Sequence, residues 1–149
     1  MKKAIVTGAN GFVGGAVTRT LIANGVRVIA LDMEGCNGNI PDSEMVEFYP
    51  FSLDAIDDLE ETLKNKQADI FYHFAWAGSA GSQRANTELQ LKNAQWTVDC
   101  LKFAKKVGCT RFVNAGSIME QETIKAVFNA GNKPGLGYIY GSGKLVAHT

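Results

Sequence analysis

The spacing Gly8-x-x-Gly11-x-x-Gly14, set between an apolar run and an amphipathic one, restricts the fold of this chain more than any other feature. Lys3–Thr7 is short and apolar, as a strand buried on both faces is. Gly11–Asn24 reads as a helix ended by Gly25, and Val26–Leu31 as a second strand rich in branched residues. Together they make one βαβ unit. In such a unit one glycine permits the tight turn, one lets the backbone approach a pyrophosphate, and one allows close packing of helix on strand. The helix N-terminus adds unpaired N–H groups and the positive end of its dipole, so an anionic phosphate is expected there. Asp32 ends the second strand, roughly 20 residues beyond the glycines, where a carboxylate accepts hydrogen bonds from adenosine ribose hydroxyls. The residues after it are Met33, Glu34 and Gly35, so a 2′-phosphate would meet negative charge. NAD is therefore expected over NADP.

The alternation of strand-length and helix-length segments continues. Met33–Asp42 reads as a loop, Val46–Phe51 as a third strand, and Asp54–Lys64 as a helix with Ile56, Leu59 and Leu63 on one face. Ile70–Ala75 is a fourth strand, and a long helix runs from about Ala85 to Lys106, with Leu89, Trp96, Leu101 and Ala104 as core positions and Gly108 at its C-cap. Arg111–Ala115 is the fifth strand. After Ser117 the pattern weakens, and the glycines and Pro134 between Asn129 and Gly137 mark a loop before a helix containing Tyr140 and Lys144. The expected fold is a Rossmann-like, doubly wound parallel α/β sheet, one NAD-binding domain over residues 1–149.

Composition narrows the partners. Fifteen Lys and Arg balance fifteen Asp and Glu, so no net charge draws the chain to nucleic acid or to an anionic membrane. No stretch approaches the ~20 apolar residues of a membrane span. Lys2-Lys3 before Ala4-Ile5-Val6 imitates a secretion signal, but Gly8, Asn10 and Gly11 interrupt the apolar run. Cys36, Cys100 and Cys109 are too few and too far apart for a zinc ribbon or a disulfide framework. The expectation is a cytoplasmic protein with reduced thiols, no metal and a small-molecule partner.

Tyr140-Gly141-Ser142-Gly143-Lys144 supplies a phenol and an ammonium one helical turn apart. With Thr7-Gly8-x-x-Gly11-Phe12-x-Gly14, Asp32, His73-Phe74-Ala75, Asn93 and Ser117 in order, the chain resembles, along its whole length, an extended short-chain dehydrogenase/reductase. The branch it resembles is the NAD-dependent epimerase/dehydratase family, which acts on nucleotide sugars. The resemblance implies that Tyr140 exchanges a proton at a sugar hydroxyl or ketone while a hydride moves to or from the nicotinamide. A free tyrosine has a pKa of about 10, so a base working near neutrality needs a positive neighbour, which Lys144 would be. By the same resemblance Lys144 also bonds the nicotinamide ribose, Ser117 orients the reacting oxygen, and Asn93 holds the helix and a proton-relay water. The cofactor would be met by Gly8, Asn10, Gly11, Phe12, Val13 and Gly14, by Asp32, by Ser52 and Leu53 after the third strand, and by Phe74, Ala75 and Trp76 after the fourth. A nucleotide sugar is the implied substrate and a homodimer the implied assembly.

Taken alone, Tyr140 and Lys144 also describe an exposed helix start, and it is the upstream motifs that favour chemistry. Tyr138 is a weaker rival, since Ser142 four residues on carries no charge. His73 reads as a core histidine at a strand end, and Trp76 as packing or cleft wall. Two departures from the family pattern matter. Ser52 stands where an aspartate often meets the adenine, with Asp54 just beyond. Ser117-Ile118-Met119 replaces the threonine and Asp-Glu pair of the dehydratases, which favours a 4-epimerase or keto-sugar reductase. Family members run to roughly twice this length, so a C-terminal substrate-binding part is expected to be absent. Other readings are a non-catalytic dinucleotide-binding module and an interaction protein using its exposed helices.

Overall fold

The computed structural model describes residues 2–63, 66–129 and 135–149. Strands β1 (Lys3–Thr7), β2 (Arg27–Asp32), β3 (Val46–Pro50), β4 (Ile70–His73) and β5 (Arg111–Asn114) form one sheet in the order β3-β2-β1-β4-β5. Every pairing is parallel, and Val6 lies between Ala30 and Tyr72. The strand order reverses between β1 and β4, the switch point at which sheets of this kind bind ligands beyond their C-terminal strand ends.

The strands read as unbroken apolar runs because alternate residues serve two cores. On one face Ala4, Val6, Val28, Ala30 and Ile70 pack with Leu21 of α1 (Phe12–Ala23). On the other, Ile5, Ile29, Leu31 and Phe71 pack with Leu59 of α2 (Ile56–Thr62), Leu63, and Cys100, Phe103 and Ala104 of α3 (Thr87–Lys106). Burial pushes the Cys100 thiol up to about 12 and that of Cys109 up to about 11, so neither is a ready nucleophile. At the other end of the sheet, Asp69 accepts from the backbone N–H groups of Lys2 at 2.5 Å and Lys3 at 3.0 Å, which hold its carboxyl below the usual range.

The chain divides into two compact units: Met1–Ala75 with Asp99–Asn114, which holds the sheet and both cores, and Trp76–Val98 with Ala115–Thr149. In the second unit, the first turns of α3, a 3₁₀ turn over Gly81–Ala85, α4 (Ile118–Phe128) and α5 (Gly137–His148) are the ordered elements. Among the described residues no helix is long and apolar enough to cross a membrane.

Most expected elements are found within a residue or two of their expected bounds. Three features differ. Leu101 is exposed, at 49%, while Gln90, Asn93 and Thr97 are buried on α3. An apolar-only stripe misses such residues, whose polar groups are satisfied locally: Thr97 Oγ1, for example, donates to Asn93 O at 2.9 Å. Where the pattern weakens after Ser117, the structure has the 11-residue α4. Its start is written in the sequence as a capping box, Ser117-Ile118-Met119-Glu120: Met119 N–H donates to Ser117 Oγ at 3.2 Å and Ser117 N–H to Glu120 Oε1 at 2.6 Å. The helix expected over Asp54–Lys64 is a 3₁₀ turn, Leu53–Ala55, followed by α2. Lys64 lies outside the described residues, as do 130–134 of the expected loop.

Candidate functional site

Two constellations of the expected residues occur, one in each unit. In the first unit the glycine turn follows β1. Gly8 has φ +66°, and its turn closes with Gly11 N–H donating to Gly8 O at 3.0 Å. A Cβ on Gly8 would lie 2.7 Å from Ala75 N, and one on Gly14 only 2.0 Å from Gly8 O. The start of α1 is thus pressed onto the turn with no room for side chains. Its N-cap, Gly11, supplies no side-chain acceptor, and its first turn carries no acidic residue. Among the described residues the orphan N–H groups of this helix start therefore meet no side-chain cap that competes with a phosphate, which is the fit a dinucleotide requires. Phe12, 95% exposed, and Val13 flank this helix start.

Asp32 Oδ2 accepts from Asn10 N–H at 2.8 Å and Oδ1 from Met33 N–H at 2.9 Å. Each carboxylate oxygen keeps further acceptor capacity, as recognition of a ribose diol needs. Phe51 N–H donates to Asp32 O at 2.7 Å, which brings the following segment alongside. There Ser52 is exposed at the N-cap of the 3₁₀ turn, and Leu53 packs on the core. Thr7, at the end of β1, organises the facing strand end. Its Oγ1 accepts from Phe74 N–H at 3.2 Å and Ala75 N–H at 3.3 Å, and shares a hydrogen bond with buried His73 Nδ1 at 2.9 Å. Sequence reasoning misses this role of Thr7, whose only sign is a hydroxyl closing an apolar strand.

In the second unit α5 carries Tyr140 and Lys144 one turn apart. Lys144 is 5% exposed; its ammonium donates to Ala115 O at 2.9 Å and lies 3.6 Å from the centroid of the Trp76 ring. Burial pushes its pKa down to about 8, against the opposing charge of Glu120. Trp76 meets the Tyr140 ring edge to face at 6.1 Å, and the Arg84 guanidinium sits 4.5 Å from the Tyr140 ring centroid. The Trp76 indole N–H is tied to Gln90 Oε1 at 2.9 Å, and Gln90 Nε2 donates to Gly78 O at 3.1 Å and Gln83 O at 3.0 Å. Arg84 and Gln90 carry no motif. A buried glutamine on a helix shows itself only when its partners are in place.

Asn93 clamps one peptide: Oδ1 accepts from Ala77 N–H at 2.8 Å, while Nδ2 donates to Ala77 O at 2.8 Å and Leu89 O at 3.0 Å. Ser117 is the N-cap of α4, which uses Oγ as an acceptor and leaves its O–H to donate elsewhere. Among the expected cofactor residues, Trp76 and Lys144 belong to the second unit and the rest to the first.

The glycines between Tyr140 and Lys144 seat α5. A Cβ on Gly141 would lie 2.1 Å from Thr123 Oγ1 and 2.6 Å from Met119 O, both on α4, and one on Gly143 would lie 2.8 Å from Gln90 O. Gly141→Ala is expected to destabilise this unit by about 3 kcal/mol, since backbone must shift to admit the methyl group. Thermal or urea unfolding checks this, and a change under about 0.5 kcal/mol would show that the close packing is not needed.

Burial of Lys144 has a pH signature. A lysine whose pKa falls on folding, from 10.5 to about 8, binds fewer protons in the folded chain than in the unfolded one between those values. Stability from this group therefore rises with pH from about 8 to about 10.5, and the cost is fully present below about 8. That cost is about 3 kcal/mol, partly offset by the contact with Trp76. Lys144→Met is accordingly expected to be about 2 kcal/mol more stable than the parent at pH 7 and to lose that advantage near pH 10. Paired unfolding curves at the two pH values decide it, and a pH-independent difference contradicts it.

The model of the NAD dependent epimerase/dehydratase family matches residues 4–143. A search of curated proteins gives no significant match. Among solved structures, the chain is similar to the epimerase Mth375 of Methanothermobacter thermautotrophicus, with 27% identity and a TM-score of 0.78 over 98% of this chain and 45% of that one. The UDP-glucose 4-epimerase of Bifidobacterium longum, solved with NAD+ and UDP, has 22% identity and a TM-score of 0.75 over 99% of this chain and 47% of that one. The enzyme WbmG of Bordetella bronchiseptica, solved with NAD, has 15% identity and a TM-score of 0.78 over 98% and 47%. The chain thus spans about half the length of these structures, and at the lower identities the likeness is one of fold. With the family model matched across nearly all of its residues, the glycine turn of the first unit and the Tyr140/Lys144 pair of the second are found in a chain that belongs to the NAD dependent epimerase/dehydratase family.

Proposed function

We propose that this chain is the cofactor-binding and acid–base part of an NAD-dependent nucleotide-sugar epimerase or keto-sugar reductase, an extended short-chain dehydrogenase/reductase working in the cytoplasm. The observation that carries the reading is Lys144, buried one turn from Tyr140 with its pKa brought down to about 8. A lysine is buried at a stability cost, and such costs cluster where chemistry needs a perturbed group. Bound NAD supplies the acceptor and donor of a hydride. Holding that cofactor and moving the proton fall to residues of this chain. Gly8, Gly11, Gly14 and the start of α1 hold the pyrophosphate, Asp32 the adenosine ribose, and Asn10, Phe12, Val13, Ser52, Leu53, Phe74, Ala75 and Trp76 the flanks of the nucleotide. Tyr140 takes or returns the proton of a sugar hydroxyl. Lys144 holds its own proton at pH 7 and keeps N–H donors for the nicotinamide ribose beyond the one engaged with Ala115. Ser117 directs its O–H at the reacting oxygen, and Asn93 keeps the start of α3 in place beside the relay.

Ser117-Ile118-Met119 lacks the adjacent acid pair that water elimination uses, and Glu120 is engaged in the capping box and with His148 Nδ1 at 2.6 Å, which supports epimerase or reductase over dehydratase. Leu91 and Val98, exposed two turns apart on α3, support a homodimer. Calorimetric titration with NAD and with NADPH tests the reading. Micromolar binding of NAD, about 8 kcal/mol, with NADPH at least tenfold weaker, is expected. Tighter binding of NADPH would overturn the part assigned to Asp32, and binding of neither would overturn the cofactor reading.

A further inference from the structure

Resting on the reading of Asp32 as the ribose-binding carboxylate, we infer that Asn39 is a positioning residue for the nucleotide. It latches the loop after β2 onto the glycine turn and thereby holds Asp32 in the one orientation that suits a free ribose diol. The latch is reciprocal. Asn39 N–H donates to Asn10 Oδ1 at 2.7 Å, and Asn39 Nδ2 donates to Asn10 O at 3.0 Å. Asn10 in turn donates its own N–H to Asp32 Oδ2 at 2.8 Å. Residue 10 is thus gripped on its side chain and its carbonyl by residue 39 while its remaining polar group orients the carboxylate. A third tie comes from α1, where Arg19 donates from a guanidinium nitrogen to Asn39 O at 3.3 Å.

The loop is built to be held rather than to wander. Cys36 N–H donates to Met33 O at 2.9 Å and Ile40 N–H to Asn37 O at 3.0 Å, making two consecutive turns, and Gly35 takes φ +75°. Ile40 is half-buried against the core cluster of α1. That apolar anchor is independent of Asn39, so cutting the latch loosens the approach to Asp32 without unfolding the segment. The side chains of the loop itself disfavour a 2′-phosphate. Asp32 and Glu34 are acidic, residues 33–42 contain no lysine or arginine, and the Arg19 guanidinium is drawn to the Asn39 carbonyl. The closed latch holds the Asn10 N–H on Asp32 Oδ2, so the preference for a nucleotide without a 2′-phosphate is set by Asn39 as well as by Asp32.

The test is a calorimetric cycle on the intact 149-residue chain with two probes, NAD and its 2′-deoxyadenosine analogue. Asn39→Ala is expected to weaken NAD by about five- to tenfold, the effect of one lost hydrogen bond. It is expected to weaken the 2′-deoxy analogue by less than about twofold, because the effect acts through the diol on Asp32. Arg19→Met, on an exposed residue whose side-chain hydrogen bond among the described residues is to the latch, should move NAD in the same direction by a smaller factor and keeps the test open should Asn39→Ala fold poorly. Equal weakening of the two nucleotides would mean that Asn39 merely supports the fold and would overturn the inference, as would unchanged NAD binding in both variants. If the parent chain binds neither nucleotide, the NAD reading itself falls and this one with it. If it binds NAD and the variants bind equally well, only the latch is wrong.

Discussion

Gly14→Ala is expected to abolish NAD binding, weakening it by more than about a hundredfold, and to destabilise the first unit by about 3 kcal/mol. The methyl group would sit 2.0 Å from the carbonyl oxygen of Gly8, which is backbone and cannot rotate away. Either α1 lifts off the turn or the turn opens, and both movements displace the N–H groups proposed to hold the pyrophosphate. The neighbouring glycines grade the effect. A Cβ on Gly8 meets Ala75 N at 2.7 Å and also strains a backbone at φ +66°, whereas one on Gly11 meets Gly8 O at 3.2 Å, a contact that a shift of a few tenths of an ångström relieves. The expected order of damage is Gly14, then Gly8, then Gly11, read by titration with NAD and by unfolding. A Gly14→Ala chain that binds NAD like the parent would remove the basis for calling this turn the phosphate cradle.

On the proposed reading, Tyr140→Phe, placed in a protein that also supplies the substrate-binding part, is expected to lower hydride transfer between a nucleotide sugar and NAD by about a thousandfold, within the range for loss of a general acid–base group, while NAD binds within about twofold of the parent. The readout is the appearance of reduced nicotinamide in a single turnover. The substitution removes one oxygen and leaves the ring, so the edge contact with Trp76 at 6.1 Å and the guanidinium of Arg84 at 4.5 Å are kept. A loss of transfer at unchanged stability therefore reports on the hydroxyl alone. Equal transfer rates in the two proteins would exclude Tyr140 as the proton-transfer group. A parallel loss of NAD binding would instead give the tyrosine a part in holding the cofactor.

Much of the fold is legible along the chain itself. The alternation of apolar strands and amphipathic helices dictates the sheet, because residues along the central strands β1, β2 and β4 are buried on one face or the other and are therefore mostly apolar. The glycine spacing dictates the turn, since only a residue without Cβ tolerates a neighbour at 2.0 Å. What the residue pattern hides is polar and cooperative. An apolar stripe on α3 includes Leu101, which is exposed, and omits Gln90, Asn93 and Thr97, which are buried, and a polar residue is buried only when partners in space satisfy it. The helix after Ser117 is hard to read although four residues spell out its capping box, because its amphipathic pattern is weak.

Sequence alone determined the parallel βαβ architecture, the glycine turn, the acidic end of β2 and the Tyr140-x-x-x-Lys144 spacing, for these rest on local rules: periodicity, steric freedom and the reach of one helical turn. Tertiary structure alone decided the electrostatic state of the residues so placed. That Lys144 is buried against Trp76 and Ala115, that Thr7 gathers the ends of β1 and β4, and that Asn39 closes on Asn10 all depend on contacts between residues 29 to 68 positions apart. No pattern along the chain encodes such contacts, because a pKa or a latch is set by what surrounds a group in space and by how much water is excluded from it.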